Sequence, residues 1–113
     1  MKVALWYLTW QDDDNEYGKS FPVDGCDEWY YPIDSQAKLP VGSCVDMDDP
    51  ITERGVDFLV MEQHYSVTEN LLRLKVETDP NMESFPEDFV RYIQTYWIAG
   101  AKIHDYNWAM VPK

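Results

Sequence analysis

The chain has 113 residues, 45% of them hydrophobic and 15% aromatic, with 21 acidic against 9 basic side chains and a net charge of −12. That length suits one core, so a single domain over 1–113 is expected, and the apolar content excludes wholesale disorder. A charge of this sign is repelled by nucleic acid and by anionic membranes, so direct contact with either is excluded from the expected functions.

The first ten residues, Met1-Lys2-Val3-Ala4-Leu5-Trp6-Tyr7-Leu8-Thr9-Trp10, run into Gln11-Asp12-Asp13-Asp14 with no small-residue cleavage site. They read as a strand of a mature protein rather than a secretory leader. No window approaches the ~20 apolar residues of a bilayer span, and a cytoplasmic location is the default. Residues 2–10 are apolar on both alternating faces, as in a central strand covered on both sides.

Residues 12–57 carry Gly18, Gly25, Gly42, Gly55, Pro22, Pro32, Pro40 and Pro50, a spacing that forbids a long helix. The expectation is an Ω-like insert with a strand around Trp29-Tyr30-Tyr31, pinned to the sheet by its aromatic residues. A hairpin follows, with arms at 57–67 and 71–78 and a turn near Thr68-Glu69-Asn70. Its second arm alternates cleanly, Leu72, Leu74 and Val76 against Arg73, Lys75 and Glu77.

A helix is expected over 84–99. Ser84 and Glu87 have capping-box spacing, Pro86 sits in the first turn, and Phe85, Phe89, Ile93, Tyr96 and Trp97 make one apolar face. Gly100 is read as its stop, and 103–111 as a last strand with His104, Tyr106, Trp108 and Met110 on one face. A right-handed crossover sets that strand parallel to 71–78, with 2–10 in the slot between. The fold class is therefore α+β: a small mixed β-sheet of about four main strands, one amphipathic helix packed on one face, and a long acidic insert after the first strand.

The charge is unevenly placed. Thirteen acidic residues lie within 12–57 (Asp12, Asp13, Asp14, Glu16, Asp24, Asp27, Glu28, Asp34, Asp46, Asp48, Asp49, Glu53 and Asp57) against Lys19, Lys38 and Arg54, a net −10 that leaves −2 for the rest. Clustering costs stability through self-repulsion, whereas a solubility role is met by dispersed charge. A net −10 matches roughly 17 Å of duplex DNA, about five base pairs, at one charge per ~1.7 Å. Alternate carboxylates on an extended segment stand ~6.6–6.8 Å apart on one side, a regular line of charge. Trp29, Tyr30 and Tyr31 follow Asp27 and Glu28 directly. They read either as core residues pinning the insert or as aromatic anchors inside an acidic rim.

Catalytic and metal signatures are absent. Asp12, Asp14 and Glu16 fit positions 1, 3 and 5 of a calcium loop, but Tyr17 and Val23 occupy the positions that require Gly and Glu. Asp46-Met47-Asp48-Asp49 offers only a loose cation site. Cys26 and Cys44 allow one bridge, with reduced thiols expected in a cytoplasmic setting. With His64 and His104 they lack zinc spacing. Both histidines read as partly buried strand residues among apolar neighbours. No phosphate-binding glycine loop or nucleophile elbow is present, so no cofactor is expected.

Small size, strong acidity, a single domain and many aromatics are together similar to phage or mobile-element proteins that imitate DNA to block host enzymes. The resemblance is one of composition and carries over no motif and no residue. It implies a host-cytoplasmic, non-enzymatic inhibitor of a basic, nucleic-acid-binding enzyme. The expected partner surface is Asp12, Asp13, Asp14, Glu16, Asp27, Glu28, Trp29, Tyr31, Asp46, Asp48, Asp49 and Glu53. An immunity protein or antitoxin neutralising a basic toxin rests on the same physics. A small enzyme with a carboxylate-based site, and a purely structural or assembly role, are the other classes.

Overall fold

The computed structural model describes residues 1–9, 27–34, 36, 38–79 and 86–110. The strands are β1 (Lys2–Leu8), β2 (Glu28–Ile33), β3 (Cys44–Asp48), β4 (Gly55–Ser66), β5 (Leu71–Thr78) and β6 (Ile98–Ala99), with one α-helix, α1 (Pro86–Tyr96). They form one mixed sheet in the order β3-β4-β5-β1-β2-β6. Two antiparallel ribbons, β3-β4-β5 and β1-β2-β6, meet in the parallel pairing of β5 with β1.

β1 is central, as its two apolar faces require: Val3, Ala4, Leu5, Tyr7 and Leu8 are all buried. Val3, Leu5 and Tyr7 join Trp29, Val56, Phe58, Val60, Leu74 and Val76 in the main core. α1 closes that core with Phe89, Tyr92 and Ile93, joined by Trp97 just after the helix. The aromatic rings meet edge-on or tilted, Phe58 lying 5.1 Å from Trp97 and 6.0 Å from Phe89, the geometries favoured by the ring quadrupole.

Four expectations are corrected. Among the described residues the sheet has six strands rather than about four. The described part of the insert is not an Ω-like cover but supplies β2 and β3, one on each side of the hairpin and β1. The helix ends at Tyr96 rather than at 99, because Ile98 and Ala99 turn extended to pair with Tyr30 and Trp29, and its described part begins at Pro86. The capping residue Ser84 lies outside the described residues.

The expected last strand at 103–111 is not formed by its described residues, 103–110. Residues Gly100–Asp105 and Trp108–Met110 are 3₁₀ turns. The inward residues Gly100, Ile103 and Tyr106 are spaced by three, the 3₁₀ period, and not by two. This segment rounds the β6 edge and packs Ile103, Tyr106 and Trp108 over Ala4, Trp6, Tyr30 and Leu71 on the sheet's second face.

β4 contains a bulge between Val60 and Glu62. Before it, Phe58 and Val60 point into the core. The extra residue reverses the alternation, so Glu62 and His64 turn to the second face, opposite Lys75 and Arg73. Without it, their side chains would enter the helix-covered core. Phe58 is fully buried at the centre of that core, so Phe58→Ala is expected to cost about 3–5 kcal/mol. Urea denaturation checks this, and a loss under about 1 kcal/mol would mean the core collapses around the gap.

Candidate functional site

The second face of the sheet carries the charge. Register places Cys44 beside Leu59, Asp46 beside Asp57 and Asp48 beside Gly55. Asp79 follows β5 and donates its amide to the Asp57 carbonyl at 2.9 Å. Glu77 stands opposite Leu59, and Glu28 opposite Leu8. Carboxylates from β2, β3, β4 and β5 are thus gathered at one end of one face. Of these, Asp46 and Asp48 are exposed, Asp57 and Asp79 half-buried and Glu77 buried. Asp46, Asp48 and Asp57 form no ion pair with a lysine or arginine among the described residues.

The electrostatics record the crowding. Burial raises the pKa of Asp57, and the charge of Asp46, a hydrogen bond shared with it, and the charges of Asp79 and Asp48 raise it further. Cys44 Sγ lies 3.5 Å from Asp46 Oδ1 and 3.8 Å from Asp79 Oδ2. Removal of water by its neighbours, then the Asp46 bond and the surrounding charges, push the thiol up to about 11. A thiol held protonated in a negative field is a poor nucleophile. Cys44 is free and exposed; Cys26 lies outside the described residues.

Further along the same face the sign changes. Arg73 lies over the Trp6 ring at 4.6 Å, a cation–π contact, and reaches the Tyr30 hydroxyl. His64 meets the Trp6 ring edge-on at 5.4 Å and bonds Glu62 at 2.8 Å. That bond, with the charge of Lys75, holds Glu62 below the ordinary carboxylate range. The expectation of partly buried histidines among apolar neighbours is corrected: His64 and His104 are both exposed, each beside a glutamate.

The expected partner surface divides. Asp46 and Asp48 lie on the acidic end of the face, with Glu28 at its margin. Asp27 and Glu53 are exposed in connections. Trp29 and Tyr31 project to the opposite face, where Trp29 is buried and Tyr31 packs at 5.5 Å on Trp97. They are core residues, separated by the sheet from the acidic row. Asp12, Asp13, Asp14 and Glu16, with the whole calcium-loop pattern, lie outside the described residues. Their described flanks, Thr9 and Asp27, are joined by a 3.0 Å backbone hydrogen bond at the acidic end of the sheet.

Asp49 is corrected too. It is 1% exposed and accepts hydrogen bonds from Ile51 N (3.0 Å), Thr52 Oγ1 (3.0 Å) and the Arg91 guanidinium. Burial alone would raise its pKa, but these bonds and the Arg91 charge outweigh burial and lower it. Asp-Pro-x-Thr at 49–52 is a turn signature with a mechanism, since the aspartate accepts from the amide two residues on. That signal was present in the sequence. The Arg91 partner, 42 residues away, had no local trace.

Among the described residues no group of His, Cys, Asp and Glu has the geometry to hold a metal ion, and no helix is long and apolar enough to cross a membrane. Compared with protein-family models, curated proteins and solved structures, the chain matches none.

Two variants test these electrostatics. Arg91→Met leaves the Asp49 charge buried without its cation and is expected to cost about 3 kcal/mol, the low end for a broken buried pair because Arg91 is partly exposed. Asp49 has a lowered folded pKa, so the stability it contributes is present above the unfolded value near ~3.9 and lost as pH falls through the folded value. In the variant, burial without the Arg91 charge raises the Asp49 pKa instead, so the deficit should be full at neutral pH and shrink as pH falls and Asp49 takes up its proton; a deficit unchanged in strong acid contradicts the assignment. Asp57 has a raised folded pKa, so its favourable contribution is present below the unfolded value and lost as pH rises through the folded one. Asp57→Asn should raise the neutral-pH melting temperature by roughly 2 °C, with the gain fading in acid and in high salt. A variant less stable than wild type at low salt and neutral pH would show that the repulsion is already compensated.

Proposed function

We propose that this chain is a non-enzymatic acidic binding protein that inhibits a nucleic-acid-handling protein by occupying its basic groove. The observation that carries the reading is the row Asp46, Asp48 and Asp57, carboxylates held together on one face with no basic residue paired to them among the described residues. The arrangement works against folding, since burial and then the neighbouring charges of Asp46, Asp79 and Asp48 raise the pKa of Asp57, and a cationic partner would relieve the part due to those charges. The net charge of −12 speeds encounter with a basic surface, and the counterions released make binding salt-dependent.

The acidic row takes the place of phosphates in such a groove, and residues 12–16 add charge whose flanks lie at the same end of the sheet. An immunity protein against a basic toxin would use the same surface and differ only in its partner.

The test is capture from a cell lysate on immobilised protein at about 0.05 M salt, with duplex DNA as competitor. Nucleic-acid-binding proteins should be retained, released by DNA and by about 0.5 M salt, and retained at least tenfold less by the triple variant Asp46→Asn, Asp48→Asn, Asp57→Asn. Retention that ignores both DNA and the neutralised row would sink the reading.

A further inference from the structure

β3 is an edge strand: among the described residues, no strand pairs with its outer side. The pairings of Val45 with Phe58 and Met47 with Val56, flanked by Val60 N to Ser43 O at 2.9 Å and Asp49 N to Arg54 O at 2.9 Å, direct the odd-numbered backbone groups towards β4. By the alternation of an antiparallel ladder, the N–H and C=O of Cys44, Asp46 and Asp48 face outwards. A row of unpaired donors and acceptors is a template for another strand.

The side chains specify which strand. On the second face the row is Cys44, Asp46 and Asp48, all exposed, with Asp57 behind it. On the helix face it is Val45 and Met47, half-buried against the core, with Tyr92 donating its hydroxyl to Met47 Sδ at 3.6 Å. Val41 and Ile51, just before and after β3, are 61% and 65% exposed. The edge is thus acidic on one side and apolar on the other.

A second copy does not fit. Antiparallel self-pairing sets the aspartates of one copy opposite those of the other, and like charges directly opposite destabilise a strand pair. A strand with basic residues at alternate positions and apolar residues between them satisfies both rows. It puts ammonium or guanidinium groups beside Asp46 and Asp48 and apolar groups beside Val45 and Met47.

We propose that the outer edge of β3 is a strand-addition site for a basic partner, which pairs antiparallel through the backbone of Cys44, Asp46 and Asp48 and reads the acidic and apolar rows by alternate side chains. This deepens the function proposed above and rests on it, adding that recognition is through the backbone as well as through charge.

The probe is a blocked eight-residue peptide of alternating Lys and Val, compared with one of four Lys followed by four Val. Two N-methylated forms of the alternating peptide complete the set. In the expected register each Lys backbone bonds an aspartate backbone, so methylating the Lys amides removes the ladder, while methylating the Val amides leaves it intact at equal charge. Hydrogen exchange of the full chain is followed by NMR with each peptide.

The Asp46 and Asp48 amides should exchange quickly in the free protein and at least tenfold more slowly with the alternating peptide. The Lys-methylated form should bind at least tenfold more weakly than the Val-methylated form. Asp46→Pro, which removes an outward N–H, should lose tenfold more affinity than Asp46→Ala, which removes only the charge. Equal binding by all four peptides would overturn strand addition and leave a surface read by charge alone. Slow exchange in the free protein, or no binding by the alternating peptide, also overturns it. The DNA-competed capture decides the broader function independently.

Discussion

The buried pair between Asp49 and Arg91 holds the acidic edge in place. Asp49 directly follows β3, and Arg91 is on the helix that closes the opposite face of the sheet, so the pair ties the edge strand to the core. It is cooperative with the turn, since the same carboxylate also takes the Ile51 amide and the Thr52 hydroxyl. A buried carboxylate satisfied from three directions is costly to disturb and specifies one arrangement. It also sets the exposure of its neighbours: with Asp49 turned inwards, the alternation of β3 sends Asp46 and Asp48 outwards. The buried acid just after β3 therefore fixes the display of the exposed ones within it.

The parts of the fold legible from sequence were those whose signal was local. β5 alternates without interruption, and both hairpin arms and their turn lie where the pattern places them. Asn70, with φ of 50° in that turn, is a residue type that tolerates the left-handed region. β1 reads as central because both of its faces are apolar. The first hairpin arm looked mixed for a physical reason, because a one-residue bulge at Met61 joins two alternations of opposite phase. Period counting fails at a bulge, since neither phase persists through it. The C-terminal segment fails differently: Tyr106 and Trp108 imitate a strand, while Ile103 packs with a period of three.

The site was partly legible. Asp46 and Asp48 stand out as alternate acids and are displayed as such. Trp29 and Tyr31 follow an acidic pair in sequence, but strand alternation separates neighbours onto opposite faces, so adjacency to charge was misleading. Asp57 and Asp79 belong to the acidic row through cross-strand register, which one strand's sequence does not reveal. Asp49 has the same composition signal as Asp48, and only a helix residue far along the chain distinguishes them.

The two halves of the second face explain each other. Arg73, Lys75 and His64 could have neutralised the acidic row, yet they are engaged with Trp6, Tyr30 and Glu62 around the bulge. The bulge turns Glu62 towards Lys75, so the cations of β5 find their counter-charge locally. Asp46, Asp48 and Asp57 are left without one. Edge strands in natural proteins carry charge to prevent unwanted pairing, and that role alone would need little more than Asp46 and Asp48. A second acidic row behind the edge, at Asp57 and Asp79, adds repulsion within the fold without adding protection against self-association. Under the function proposed above, a cationic surface meeting several strands at once would draw on that excess, because each added carboxylate would then strengthen attraction to the partner while adding a screened, modest repulsion to the free protein.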